Sequence, residues 1–232
     1  MAQTQAHAWF TPRGRRSEPP VALPGTYRVQ HDSRLLATHV RGAAAGRRVL
    51  DVCTGTGFLA LVAAHAGARS VVAVDLALRS VLSARLNAAL CGAPVRVRRG
   101  NLFAPVAGSQ FDLVVCNPPY VPSPNDVLPR HRTARCWDGG PTGRMVLDRF
   151  CAGVGEVLSP EGRVVLVQST VTGVRETLQQ LAEQGLDAEV VQEQVVPFGP
   201  VMTQRRQWLR EQGLLTPEEQ QETLVVVEGR RR

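Results

Sequence analysis

Apolar positions along this chain fall into short runs separated by longer amphipathic stretches, and the two kinds alternate. The runs RVLDV, SVVAVD, FDLVVC and RVVLVQS are rich in β-branched residues and too short for helices, so they predict strands buried on both faces. Between them, residues 58–66, 78–90, 145–158 and 174–184 carry apolar residues at helical spacing, the last stretch ending at Gly185. PVRVRRG alternates apolar residues with arginine, which predicts an edge strand. A further helix is expected over SRLLATHV, with Asp32 or Ser33 as its N-cap. Runs at 190–196 and 223–227 predict two last strands with no long apolar helix between them, a pair expected to be antiparallel. Strand–helix alternation of this kind predicts an α/β fold, a mostly parallel sheet covered on both faces.

Length and composition narrow the class. With 232 residues, 44% hydrophobic and 20% charged, the chain has the size and balance of one globular domain. Residues 1–25, rich in Pro, Gly and Arg, predict an extended arm ahead of a domain at 26–232. Neither a secretory signal nor an apolar stretch of membrane-spanning length is visible. Five cysteines, an odd number without a CxxC pair, suggest neither a disulfide framework nor a zinc site, so no metal is expected. A reducing, cytoplasmic setting follows.

The net charge of +7 comes without a single lysine. Coding bias accounts for the missing lysine but not for the surplus. The arginine clusters at 13–16, 96–99, 130–135, 205–210 and 230–232 therefore admit an acidic partner, nucleic acid included, without requiring one. Two stretches stand outside the regular alternation. The loop at 121–143 is long enough to be functional in a compact domain. The segment at 197–217 carries a short amphipathic helix around 205–211; it is either a surface elaboration whose Trp208 covers a core edge or a cap on the substrate side.

The candidate chemistry begins where FDLVVC ends in Asn117-Pro118-Pro119-Tyr120. Two prolines terminate the strand because neither can donate to a ladder. A rigidly held Asn carbonyl, the backbone carbonyls of the corner and an aromatic ring together can grip a planar amino group. Acceptors aimed at both of its hydrogens would fix a poorly nucleophilic nitrogen for attack.

A second constellation closes the first strand: Asp51-Val52-Cys53-Thr54-Gly55-Thr56-Gly57. Glycines there let a ligand approach the backbone. Asp75, at the end of the second strand, stands where a carboxylate accepts from ribose hydroxyls. Gly55 to Ala60 also fits the dinucleotide fingerprint G-x-G-x-x-A, so the loop alone leaves a nicotinamide enzyme open. Two features favour S-adenosylmethionine instead. Asp51 places a carboxylate that suits an ammonium group and is awkward beside a pyrophosphate. The amide-gripping corner, moreover, has no place in hydride transfer. Asp51, Asp75 and Asn117 all fall at carboxyl ends of strands, where open α/β sheets bind ligands.

With these motifs the chain resembles the class I S-adenosylmethionine-dependent methyltransferases, and more narrowly the short, single-domain branch of the HemK/PrmC family. DVCTGTG, VVAVD, VVCNPPYVPSP, YRVQHDSRLL and the stretch from Trp137 to Arg149 carry the resemblance. It implies a Rossmann-like, mostly parallel seven-stranded sheet with an antiparallel terminal strand. It also implies methylation of a glutamine side-chain amide in a release-factor-like protein, and leaves room for a small activator subunit.

Site residues carried over are Asp51, Cys53, Thr54, Gly55, Gly57, Asp75, Leu76, Asn101 and Leu102 for the cofactor, and Asn117, Pro118, Pro119 and Tyr120 for catalysis. Asn117 is shared with the cofactor set. Three positions depart from the family pattern: Cys53 replaces a glycine, Asn101 stands where an Asp receives the adenine amino group, and His31 replaces an acid. The other readings open at this level are methylation of a nucleobase exocyclic amine, methylation of a small-molecule amine or amide, and a non-catalytic binder of the cofactor.

Overall fold

A computed structural model describes residues 20–127 and 133–231. Helices α1 (His31–Ala43), α2 (Phe58–His65) and α3 (Leu78–Leu90) interleave with strands β1 (Arg48–Val52), β2 (Ser70–Asp75) and β3 (Val95–Arg99). After β4 (Phe111–Cys116) come α4 (Leu147–Val157), β5 (Leu158–Ser169), α5 (Val174–Glu183), β6 (Leu186–Pro197), α6 (Pro200–Glu211) and β7 (Gln221–Arg231). The strands form one sheet in the order β3-β2-β1-β4-β5-β7-β6. β1 to β5 pair in parallel, while β7 runs antiparallel to both β5 and β6. β3 is an edge, as its arginine alternation requires. The strand order reverses at the β1–β4 junction, so the crevice of this open sheet lies at the carboxyl ends of those two strands.

The apolar strands follow from burial on both sides. Val49, Leu113, Val115 and Val165 point to the face packed by α1 and α2, with Leu36, Val40 and Leu61. Their neighbours Leu50, Val114, Cys116 and Leu166 point to the other face, with Phe150, Val154 and Leu181. Alternate residues of one strand thus enter two cores, which removes any polar phase from its pattern.

Several sequence expectations are corrected. The N-cap of α1 is Gln30, and Asp32 lies inside the first turn because its carboxylate is drawn to two tyrosines. The fourth helix begins at Leu147, two residues after Met145, because the chain first turns at Arg144, whose guanidinium anchors to the carbonyls of Thr172 and Gly173. The strands β5, β6 and β7 are longer than their apolar runs, since pairing continues through polar residues. α6 begins at Pro200, earlier than the arginine-rich stretch suggests, with proline at its first position.

Of the N-terminal arm, residues 1–19 lie outside the described residues. The part that follows is pinned along α3: the Val21 amide donates to Asn87 Oδ1 and Asn87 Nδ2 donates back to Val21 O, both at 2.9 Å. The Leu23 amide donates to Ser83 Oγ at 3.1 Å.

Candidate active site

The loop after β1 is organised from behind by Asp51, which is fully buried. Its Oδ2 accepts from the Thr54 hydroxyl at 2.5 Å and from the Ala60 amide at 3.0 Å. Burial pushes this carboxyl up to about 7, opposed by those two donors. Asp51 does not line the cavity in front of the loop. Asp51 thus organises the turn from behind, and its Oδ1 is buried without a partner among the described residues. Gly57 is also set back from the cavity. Its φ of 83° makes it the N-cap of α2, and a Cβ there would come within 3.0 Å of the Ala84 Cβ on α3.

The remaining cofactor-side residues do face the cavity, which measures about 690 Å³. Cys53, Thr54, Gly55, Asp75, Leu76, Asn101 and Leu102 line it. Cys53 and Leu102 hold left-handed backbone, at φ 60° and 45°. Such strain in non-glycine residues is characteristic of functional loops. Asp75 receives the Gly55 amide on Oδ2 at 3.0 Å and the Ala77 amide on Oδ1 at 2.8 Å. Burial raises its pKa, and the two amides work against the rise. With one amide on each oxygen, lone pairs remain on both for a vicinal diol. Beside it Leu76 is 42% exposed, an apolar surface facing the cavity rather than the core. This donor and acceptor set fits the ribose and adenine of S-adenosylmethionine, and the volume lies within the range of ligand pockets.

At the other end of the same cavity stand Asn117, Pro118, Pro119 and Tyr120. Asn117 Nδ2 donates to Ser33 Oγ at 3.1 Å. That bond commits the NH2 end of the carbamoyl and leaves the carbonyl end to face a ligand. Tyr120 was expected to supply a stacking face, and its hydroxyl has a further task. Together with the Tyr27 hydroxyl it donates to Asp32 Oδ2, at 3.3 and 2.7 Å. Burial first, and the Asp32 charge second, hold both phenols well above their ordinary pKa, so they remain donors. The start of α1 thus braces the corner.

The long loop returns to the same place. The Val121 amide donates to Trp137 O at 2.8 Å and the Gly139 amide to Val121 O at 2.9 Å. Arg135, Trp137 and Asp138 consequently line the cavity. α6 closes one flank: Met202, Leu209 and Leu215 pack with Val121, Phe198 and Trp208, and Gly199 to Met202 reach the cavity wall. Arg205 Nη2 pairs with Asp138 at 2.6 Å, while its Nη1 donates to Pro122 O at 2.9 Å. The helix thus packs an apolar cluster that includes Trp208, and its first turn forms part of the cavity wall.

Comparison with known proteins agrees with this geometry. The Methyltransferase small domain family matches residues 23–128. A candidate protein N5-glutamine methyltransferase of Methanocaldococcus jannaschii is 33% identical over 179 residues, covering 77% of this chain and 90% of that one. The chain belongs to the protein N5-glutamine methyltransferase family. Like the other members it is a class I, S-adenosylmethionine-dependent methyltransferase by fold and sequence.

A release factor glutamine methyltransferase of Deinococcus radiodurans is 39% identical over 124 residues, 51% of this chain and 44% of its own length. The chain thus spans less than half of that bacterial relative. The solved Mtq2–Trm112 complex of E. cuniculi, responsible for methylation of the eRF1 translation termination factor, contains the same fold. It superposes with a TM-score of 0.63 at 23% identity, covering 90% of this chain and 99% of that one. No described helix is long and apolar enough to cross a membrane, and no cluster of metal-ligating side chains occurs among the described residues.

Three functional features escaped sequence reasoning: the bracing of Asn117 by Ser33, the role of Asp32 as a hub, and Glu222 on the cavity wall. In the segment YRVQHDS, Asp32 and Ser33 were legible only as N-cap candidates, and the rest was singled out by resemblance. Glu222, in a polar stretch before the apolar run of β7, carried no local signal.

Proposed function

We propose that this family member transfers the methyl group of S-adenosylmethionine to the side-chain amide nitrogen of a protein glutamine, in a release-factor-like substrate. The observation that carries this reading is the Asn117–Ser33 hydrogen bond, in a cavity shared with Asp75 and the glycine loop. A carbamoyl fixed with its carbonyl outward accepts from an amide NH2. A backbone carbonyl of Asn117 or Pro118 is the natural second acceptor for the other hydrogen.

Bound cofactor supplies an electrophilic methyl group on a sulfonium. The chain's own residues do the rest. Asp75, Leu76 and Asn101 hold the nucleoside end, and the loop from Cys53 to Gly55 holds the amino-acid end. Asn117 and Pro118 aim the amide nitrogen, so most of the acceleration comes from positioning and from acceptors matched to positive charge developing on nitrogen. Transfer of that methyl to the amide nitrogen would leave S-adenosylhomocysteine as the leaving group. The methylated amide cation is acidic and gives its proton to solvent, so no strong base is required.

A partner subunit has a place elsewhere. Leu78, Leu82, Leu86 and Leu90 form a stripe on α3, 40% to 65% exposed, on the edge-strand side of the sheet. A small activator of the kind bound to Mtq2 would cover it. Incubating enzyme, cofactor and release factor, then locating the added methyl by mass spectrometry, tests the reading. Methyl transfer to RNA or DNA in place of a glutamine would overturn it.

A further inference from the structure

Two carboxylates face the acceptor end of the cavity, and their hydrogen bonding differs. Asp32 is saturated. Its Oδ2 takes the two tyrosine hydroxyls, and its Oδ1 takes the Ser33 amide at 2.5 Å and the Ser33 hydroxyl at 3.2 Å. A carboxylate offers about four acceptor sites, so nothing is left over for a ligand. Glu222 is the opposite case. It stands near the start of β7, opposite Val196 of β6, and lines the cavity with Asn117, Pro118 and Tyr120. Its Oε2 is buried and has no hydrogen-bond partner among the described residues.

A buried acceptor left open is costly, so one in a native site needs a reason. The Ser169 hydroxyl stands beside Glu222 and works against the rise in its pKa, yet neither Ser169 Oγ nor Glu222 Oε2 has a partner within hydrogen-bond distance among the described residues, and the Asp32 carboxylate nearby is no cation. What Oε2 lacks is a donor within reach, and the ligand that enters this end of the cavity brings donors.

We propose that Glu222 is a substrate-binding residue whose Oε2 receives a main-chain N–H of the glutamine-bearing segment. The inference rests on the glutamine reading above. In that reading the two hydrogens of the reacting amide go to Asn117 and a backbone carbonyl of the corner, so the donors that remain on a peptide acceptor are backbone N–H groups. Glu222 then selects a polypeptide and fixes its depth, while Asn117 governs the reacting nitrogen. No covalent step passes through Glu222.

Steady-state kinetics with release factor as acceptor, run on wild type, Glu222→Ala and Glu222→Gln, test this, with calorimetry of S-adenosylhomocysteine binding alongside. At about pH 8, above the value of about 7 to which burial lifts Glu222, the residue is ionised, and losing a charge-assisted hydrogen bond raises the acceptor KM about tenfold or more in Glu222→Ala and less in Glu222→Gln. The kcat stays within about threefold, as is usual when only uniform binding is removed. The affinity for S-adenosylhomocysteine does not change.

An unchanged acceptor KM overturns the assignment. So does a fall in kcat at constant KM, which would make Glu222 a proton acceptor, or a parallel loss of cofactor affinity. A Glu222→Gln protein that no longer folds would assign the residue to the scaffold and equally overturn the proposal. If wild type transfers no methyl to any glutamine, the broader reading fails first and takes this inference with it.

Discussion

Asn117 and Ser33, 84 residues apart in sequence, are joined by a hydrogen bond of 3.1 Å from Nδ2 to Oγ. The bond turns a flexible carbamoyl into a directional acceptor. Asn117→Ala is expected to abolish turnover while leaving S-adenosylhomocysteine affinity within a few-fold. Ser33→Ala keeps the group but frees its rotation, and loses about 1 kcal/mol of orientation, or roughly five- to tenfold in kcat. Equal kcat in Ser33→Ala and wild type would show that Asn117 needs no brace.

Asp75 ties the glycine loop to β2 through the Gly55 amide and faces the cavity with its remaining lone pairs. Asp75→Ala is expected to weaken S-adenosylhomocysteine binding about 10- to 100-fold, the loss typical of a hydrogen bond to a charged group. Isothermal calorimetry measures it directly. Unchanged affinity would place the nucleoside elsewhere.

Burial lifts both Asp51 and Glu222 to about 7. In the folded state they keep a proton that the unfolded chain gives up near pH 4. Their contribution to stability is full below that value and is lost as pH rises toward 7, because the folded state binds more protons throughout the window. Asp112 has the opposite sign: the Arg48 guanidinium holds its carboxyl well below the ordinary range, so its contribution is lost only in stronger acid. Denaturant midpoints are therefore expected to fall between about pH 4 and pH 7. Asp51→Asn keeps an oxygen for Thr54 and Ala60 and should flatten that slope. A slope that rises with pH, or one untouched by the substitution, contradicts this account.

Arg205 on α6 neutralises Asp138, whose side chain is 1% exposed. Arg205→Ala strands a buried carboxylate and frees the Pro122 carbonyl, at a cost of about 3 kcal/mol or more. Chemical denaturation gives the number. A loss below about 1 kcal/mol would mean that α6 sits on the loop by apolar contacts alone.

Much of the architecture was legible because β1, β2, β4 and the second half of β5 are buried on both faces, which writes continuous apolar runs. Motifs at strand ends, such as Asp75 and Asn117, were legible for the same reason: a clear strand fixes where its carboxyl end lies. Non-local relationships were not. The antiparallel pairing of β6 with β7 could be read from the short apolar runs. The insertion of β7 between β5 and β6 depends instead on how the α6 connection crosses the sheet. Asp51 looked like a ligand-facing acid because its partners, Thr54 and the Ala60 amide, become neighbours only once the loop closes. Asp32 looked like a cap because the tyrosines that claim it, Tyr27 and Tyr120, meet it from different segments.

The central claim is that a braced Asn117 presents a protein glutamine to a methyl donor held by Asp75 and the glycine loop. Tandem mass spectrometry of release factor, after incubation with S-adenosylmethionine and either wild type or Asn117→Ala, tests it most directly. One methyl on a single glutamine side chain with wild type, and none with the variant, is the predicted result. A methyl on another residue type, or equal modification by both proteins, would contradict it.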